Sequence, residues 1–166
     1  MLKIISSNYQ MTGEENEKLM EGKLEQIADG QVVFKELFEK TSLGDEIRSE
    51  TLVECCISED GESFKIMYEE PDENSLGQSN VEIECSRYTQ SPMSITRRGR
   101  FESKLYFEND RLCREIYHTP YMNFGFTVFT LKLDNRLCSD GVAYVDYIMI
   151  IDGGNYSRFT IELSLH

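Results

Sequence analysis

Four bases fall within nine residues at Arg97, Arg98, Arg100 and Lys104, in a chain that carries thirty acids against seventeen bases and a net charge of −13. A guanidinium is the side chain best suited to grip a carboxylate or phosphate, because its planar fork of N–H donors meets two oxygens at once. Arg97 shares its strand face with Met93 and Ile95. If that face is turned inward, the guanidinium must be paired, since an unpaired buried charge costs several kcal/mol. Glu115, Asp146 and Glu70 are the candidate partners. Two readings stand side by side: an internal arginine–carboxylate pair with Arg98 and Arg100 solvated at a strand end, or a clamp for a ligand anion inside the fold. Tyr117 and Tyr147 would line such an interior with apolar area and a hydroxyl. The candidate ligand-binding set is therefore Arg97, Tyr117, Tyr147, Asp146 and Glu115, serving a small apolar or anionic molecule.

Other chemistries find less support. The histidines are His118 and His166, and the five cysteines (Cys55, Cys56, Cys85, Cys113, Cys138) include no Cys-x-x-Cys pair, so neither a metal centre nor a cofactor is expected. A serine or cysteine nucleophile has only His118 as a base, with no Gly-x-Ser-x-Gly elbow beside it. No catalytic residue is assigned, and the expectation is a protein that is not an enzyme. Asp152-Gly153-Gly154-Asn155 sits between two strand-like runs and reads as a hairpin turn rather than a phosphate loop.

These side chains must be positioned by β-structure. The share of hydrophobic residues is 40% and of charged residues 28%, the balance of an ordinary globular chain, and 166 residues suit one domain. From about residue 46 onward, short β-rich runs recur between turn signals: Thr51–Ile57, Ser63–Glu69, Asn80–Tyr88, Met93–Arg98, Ser103–Glu108, Cys113–Tyr117, Phe124–Leu133, Val142–Ile151 and Tyr156–Leu165. Asp60-Gly61 supplies the positive φ of a tight turn. About eight to ten antiparallel strands suit a closed barrel, which leaves no unpaired edge. In the last run Phe159, Ile161, Leu163 and Leu165 share one face, and Arg158, Thr160, Glu162 and Ser164 the other, which predicts one wet face. Val142–Ile151 sets Val145, Tyr147, Met149 and Ile151 on one side and Tyr144, Asp146, Ile148 and Ile150 on the other, so both faces are partly buried and the outer one needs a cover. Residues 14–40, with apolar residues at near-helical spacing, are the expected helical lid or insertion, a hairpin across Asp29-Gly30 being the rival. Met1–Asn8 is a possible first strand.

Several landmarks in order are familiar: Tyr68-Glu69-Glu70, Arg97-Arg98-Gly99, Leu105-Tyr106-Phe107-Glu108, Tyr117-His118-Thr119-Pro120, and Asp140-Gly141 followed by Tyr147. Together they resemble the YwiB-type family of uncharacterised bacterial proteins. That resemblance implies a mainly β, calycin-like (lipocalin-like) barrel in a bacterial setting, and it brings no ligand or catalytic residue with it.

Charge and termini narrow the partners. Residues 1–75 hold nineteen acids against seven bases, whereas residues 76–166 hold eleven against ten. Such an acidic chain repels phosphate backbones and anionic lipid, so no nucleic acid and no membrane partner is expected. With no signal-like segment and no apolar run near membrane-spanning length, a cytoplasmic location is expected. The alternative to ligand binding is a protein-interaction module: a filled barrel whose acidic surface at Glu14, Glu15, Glu17, Glu21 and Glu25 meets a basic partner, or whose sheet edge forms a homodimer.

Overall fold

The computed structural model of the chain describes residues 1–9, 45–70, 77–151 and 155–166. Among them run eleven strands and one short helix: β1 (Leu2–Tyr9), β2 (Glu46–Val53), β3 (Cys55–Asp60), β4 (Ser63–Glu70), β5 (Ser79–Ser86), β6 (Met93–Gly99), β7 (Ser103–Phe107), β8 (Leu112–His118), β9 (Asn123–Arg136), α1 (Leu137–Asp140), β10 (Val142–Ile151) and β11 (Asn155–Leu165). The expected helical segment 14–40, with its row of glutamates, lies outside the described residues, as does most of the Asp152–Asn155 turn.

The strands form two antiparallel sheets, ordered β2-β1-β11-β10-β9-β8 and β3-β4-β5-β6-β7. This corrects the expectation of a closed barrel. The order is still that of one meander, with the first and last strands paired from Leu2↔Leu165 to Tyr9↔Arg158. Hydrogen bonding lapses at two seams, each for a local reason. β2 is paired to β1 as far as Val53↔Leu2, where β1 begins, so the chain runs out of partner and crosses at the exposed Glu54 to pair β4 at Cys55↔Tyr68. At the second seam, the turn between β7 and β8 is tied to β9 instead: Asp110 N–H donates to the Thr130 carbonyl and Thr130 N–H to the Arg111 carbonyl, while the Asn109 side chain both donates to the Leu133 carbonyl and accepts from its N–H. β8 therefore follows β9, and among the described residues only Glu102↔His118 bridges it to the neighbourhood of β7.

Period-2 alternation sets the faces. Val81, Ile83 and Cys85 of β5 are buried while Asn80 is exposed. Inward residues from both sheets form a core of Phe64, Ile66, Met93, Phe107, Val128 and Val145, among others. β10 is buried on both faces, Ile148 and Ile150 lying on the outer one. The outer face of β11 departs from its expected wetness: Thr160 is buried and Arg158 is half-buried beside Asp146.

The β3–β4 turn carries Gly61 at φ +58°, as Asp60-Gly61 predicts. Gly99, at the end of β6, is held by space instead. A Cβ there would lie 2.8 Å from the Gln78 carbonyl oxygen and 3.1 Å from Ser79 Oγ. Gly99→Ala is expected to cost about 1–3 kcal/mol through forced displacement of β5, read as a lower urea midpoint with an unchanged slope.

Candidate ligand cavity

The space between the sheets is divided. One half is filled by the core around Phe64, Met93 and Phe107. The other half is a cavity of about 360 Å³, walled by inward residues of β1 and of β4 to β11. Its wall is mostly aliphatic and aromatic, with Ile4, Ile83, Ile95, Leu105, Phe126 and Ile161 as representative contacts. The successive inward positions 95 and 97 on β6, 147, 149 and 151 on β10, and 4 and 6 on β1 trace its length.

Polar groups enter at few points. Arg97 Nη2 donates to Glu70 Oε1 at 2.6 Å, with about a third of each side chain exposed, so the pair sits at the rim rather than in the dry interior. Burial works against the Arg97 charge, but the neighbouring Glu70 carboxylate and then the Tyr117 hydroxyl hold the guanidinium protonated more firmly than usual. Tyr117 also stacks obliquely on Phe124, ring centres 5.0 Å apart. Tyr147 is 4% exposed, wedged between Phe107 at 4.9 Å and Phe159 at 5.4 Å. Its ring lines the cavity, and among the described residues nothing hydrogen-bonds its hydroxyl. Burial pushes the Tyr147 and Tyr68 phenols well above their ordinary value, so both stay protonated donors. On β1, Ser6 Oγ meets Ser49 Oγ at 2.7 Å, and Asn8, next on the same face, has a buried side-chain oxygen with no partner among the described residues.

Of the residues named from sequence, Arg97, Tyr117 and Tyr147 meet at this cavity, and Glu70 is the carboxylate that pairs with Arg97. Asp146 and Glu115 lie elsewhere. Asp146 is on the outer face of β10, where Arg158 Nε and Nη2 donate to its two carboxylate oxygens at 2.9 and 2.7 Å. Glu115 lies in an open groove of about 610 Å³ along the β7–β8 seam, lined also by Arg98, Glu102, Lys104, Arg114 and His118. Tyr68 was missed as a wall residue. Its signal was present, since it lies two residues before Glu70 and two after Ile66 on one strand face.

Burial raises the Glu115 carboxyl above its ordinary value, and Lys104 partly offsets this. A carboxyl raised in the fold contributes stability that is complete below its unfolded value and is lost as pH rises through the folded one. Glu115→Gln escapes that loss. The variant should therefore melt at the same temperature as the parent near pH 4 and slightly higher at pH 7, and thermal melts at the two pH values check the sign. Among the described residues no three His, Cys, Asp or Glu side chains converge to hold a metal ion, and no helix is long and apolar enough to cross a membrane.

Comparison with known proteins agrees with this architecture. The crystal structure of the ywiB protein from Bacillus subtilis superposes with a TM-score of 0.56 over 99% of this chain and 91% of that one, at 10% identity, a likeness of fold alone. No curated protein matches. The family model described as a domain of unknown function, DUF1934, matches residues 34–163. With most of its length so matched, the chain belongs to the DUF1934 family.

Proposed function

We propose that the protein is a non-enzymatic binder, calycin-like in its manner, that holds a small, largely apolar molecule between its two sheets. The observation that carries the reading is the hollow part of the sandwich: about 360 Å³ of mainly apolar wall beside a cluster of buried core side chains. Pockets for small molecules begin at about 300 Å³ and pair such walls with a few placed polar groups, and the rim here has Arg97, Tyr117 and Ser6. A cytoplasmic setting is part of the proposal, supported by five cysteines that are all free thiols.

The test is uptake of 1-decanol, a neutral probe, followed through ¹³C-methyl methionine resonances. Met149 lines the cavity, whereas Met1 and Met122 are exposed. The Met149 methyl should shift saturably while the other two stay put, and Ile95→Trp, which places an indole in the lumen, should abolish the shift. An unmoved Met149 methyl, or unchanged uptake by Ile95→Trp, would overturn the reading.

A protein-interaction role is the second reading, and one surface favours it. Beside the crossing at Glu54, an open slot of about 900 Å³ between β2 and β4 presents Leu52 at 58% and Met67 at 37% exposure. Leu52 belongs to β2, the edge of the six-stranded sheet among the described residues, and such an edge is a place where another strand can add.

A further inference from the structure

We propose that the molecule held in the cavity is a monocarboxylic acid with an apolar body of about ten carbons, its carboxylate at Arg97 and its body running toward Ile83 and Leu163. This inference rests on the cavity reading above and adds the chemistry of the head group to it.

The polar groups that reach the cavity are unbalanced. Arg97 brings only donors, and the hydroxyls of Tyr68, Tyr117, Tyr147, Ser6 and Ser103 on the same wall can each donate as well as accept. Among the described residues Glu70 is the one carboxylate on that wall, and its Oε1 takes a single donor of the guanidinium, from Nη2. Glu70 also borders the open slot beside β2 and Arg97 the groove along the β7–β8 seam, so the pair stands at the edge of the cavity, where Tyr117 and Tyr147 also line the wall. The guanidinium thus keeps donors for a second acceptor. The Tyr147 hydroxyl, which has no partner among the described residues, adds another donor on the same wall. An acceptor-rich head group of one negative charge engages both. A carboxylate fits because two oxygens can engage the guanidinium edge and a phenol together. A dianion fits less well, since Glu70 already cancels part of the positive charge.

Beyond the head the wall is apolar. Ile83 and Leu163 are nearly inaccessible, and Phe126, Ile161 and Leu105 line the same cavity. Volume sets the length: a cavity of about 360 Å³ holds roughly a dozen non-hydrogen atoms at the ~30 Å³ that a water molecule occupies in the liquid. Decanoic acid is of that size.

The experiment compares decanoate with methyl decanoate at pH 7.5, by Met149 methyl shifts and calorimetry, on the parent protein, on Arg97→Met and on Tyr147→Phe. Decanoate is expected to bind the parent at least tenfold more tightly than its ester. Arg97→Met should lose about tenfold to a hundredfold for decanoate and little for the ester, as expected for one charge-assisted hydrogen bond. Tyr147→Phe, which keeps the ring and removes the donor, should lose a smaller factor for the acid only. Since Glu70 is left without its partner in Arg97→Met, the double variant Arg97→Met with Glu70→Gln should show the same loss of preference. Equal binding of acid and ester by the parent would overturn the carboxylate inference while leaving the cavity reading standing. Binding of neither would overturn both.

Discussion

Asp146→Ala is expected to remove about 3–5 kcal/mol of stability, the cost of deleting one partner of a buried ion pair. The Asp146 and Arg158 side chains are only 11% and 16% exposed, and two guanidinium nitrogens meet the two carboxylate oxygens at 2.9 and 2.7 Å. Both lie on the outer face of the larger sheet, where Thr160 opposes Asp146 in register and Ile148 and Ile150 follow on β10. Deleting the carboxylate leaves a guanidinium with little water and less charge compensation. The attraction between two such charges barely outweighs their desolvation, so replacing both is far milder than replacing one. Asp146→Ala with Arg158→Met should accordingly regain much of what Asp146→Ala loses. Urea denaturation of the four proteins in a double-mutant cycle measures the coupling. A single-variant loss under about 1 kcal/mol, the range of exposed pairs, would show that the pair is not buried in solution.

Phe107→Ala is expected to cost a comparable amount, about 3–5 kcal/mol. Phe107 is fully buried, lies opposite Met93 across the β6–β7 ladder, and places its ring 4.9 Å from that of Tyr147. It belongs to the filled core and packs against Tyr147, whose ring lines the cavity. Truncation removes the ring's burial and leaves a void in that core beside Tyr147. The loss should fall at the high end of the large-to-small range, and chemical denaturation reads it directly. A loss under about 1.5 kcal/mol would mean that Met93 and Tyr147 move in to refill the site.

Most of the ladder was legible in the sequence, because alternation and turn chemistry are local. Val142–Ile151 was delimited to the residue, and the Asp60-Gly61 turn is found where its backbone preference put it. The Arg97–Glu70 pair was within reach because the face of Met93 and Ile95 forces a partner on Arg97. What failed depends on matters beyond one strand. Thr51–Ile57 reads as one strand, yet it breaks at Glu54 because β1 ends opposite it, a fact about a neighbour some fifty residues away. The same break and the β7–β8 seam turn an expected barrel into two sheets.

The site divides along similar lines. Asp146 had the right chemistry for Arg97, but it lies on the opposite face of β10 from Tyr147 and found Arg158 instead. Glu115 is on β8 near the open seam, where only the path of the chain decides whether it faces the cavity or the groove. Alternation also says that Ile83 and Phe126 point inward without saying whether the space between them is filled. That depends on the summed volumes of side chains from both sheets, which no pattern in one strand records.

The central claim, that half of the interior is an apolar cavity, is tested most directly by diffraction from crystals held under xenon pressure. Xenon enters dry apolar cavities and leaves a close-packed core empty. A xenon peak among Phe126, Ile161 and Leu105, with none around Phe64 and Met93, is the expected result. No peak between the sheets, with Tyr68 and Phe124 folded inward to fill the lumen, would contradict it.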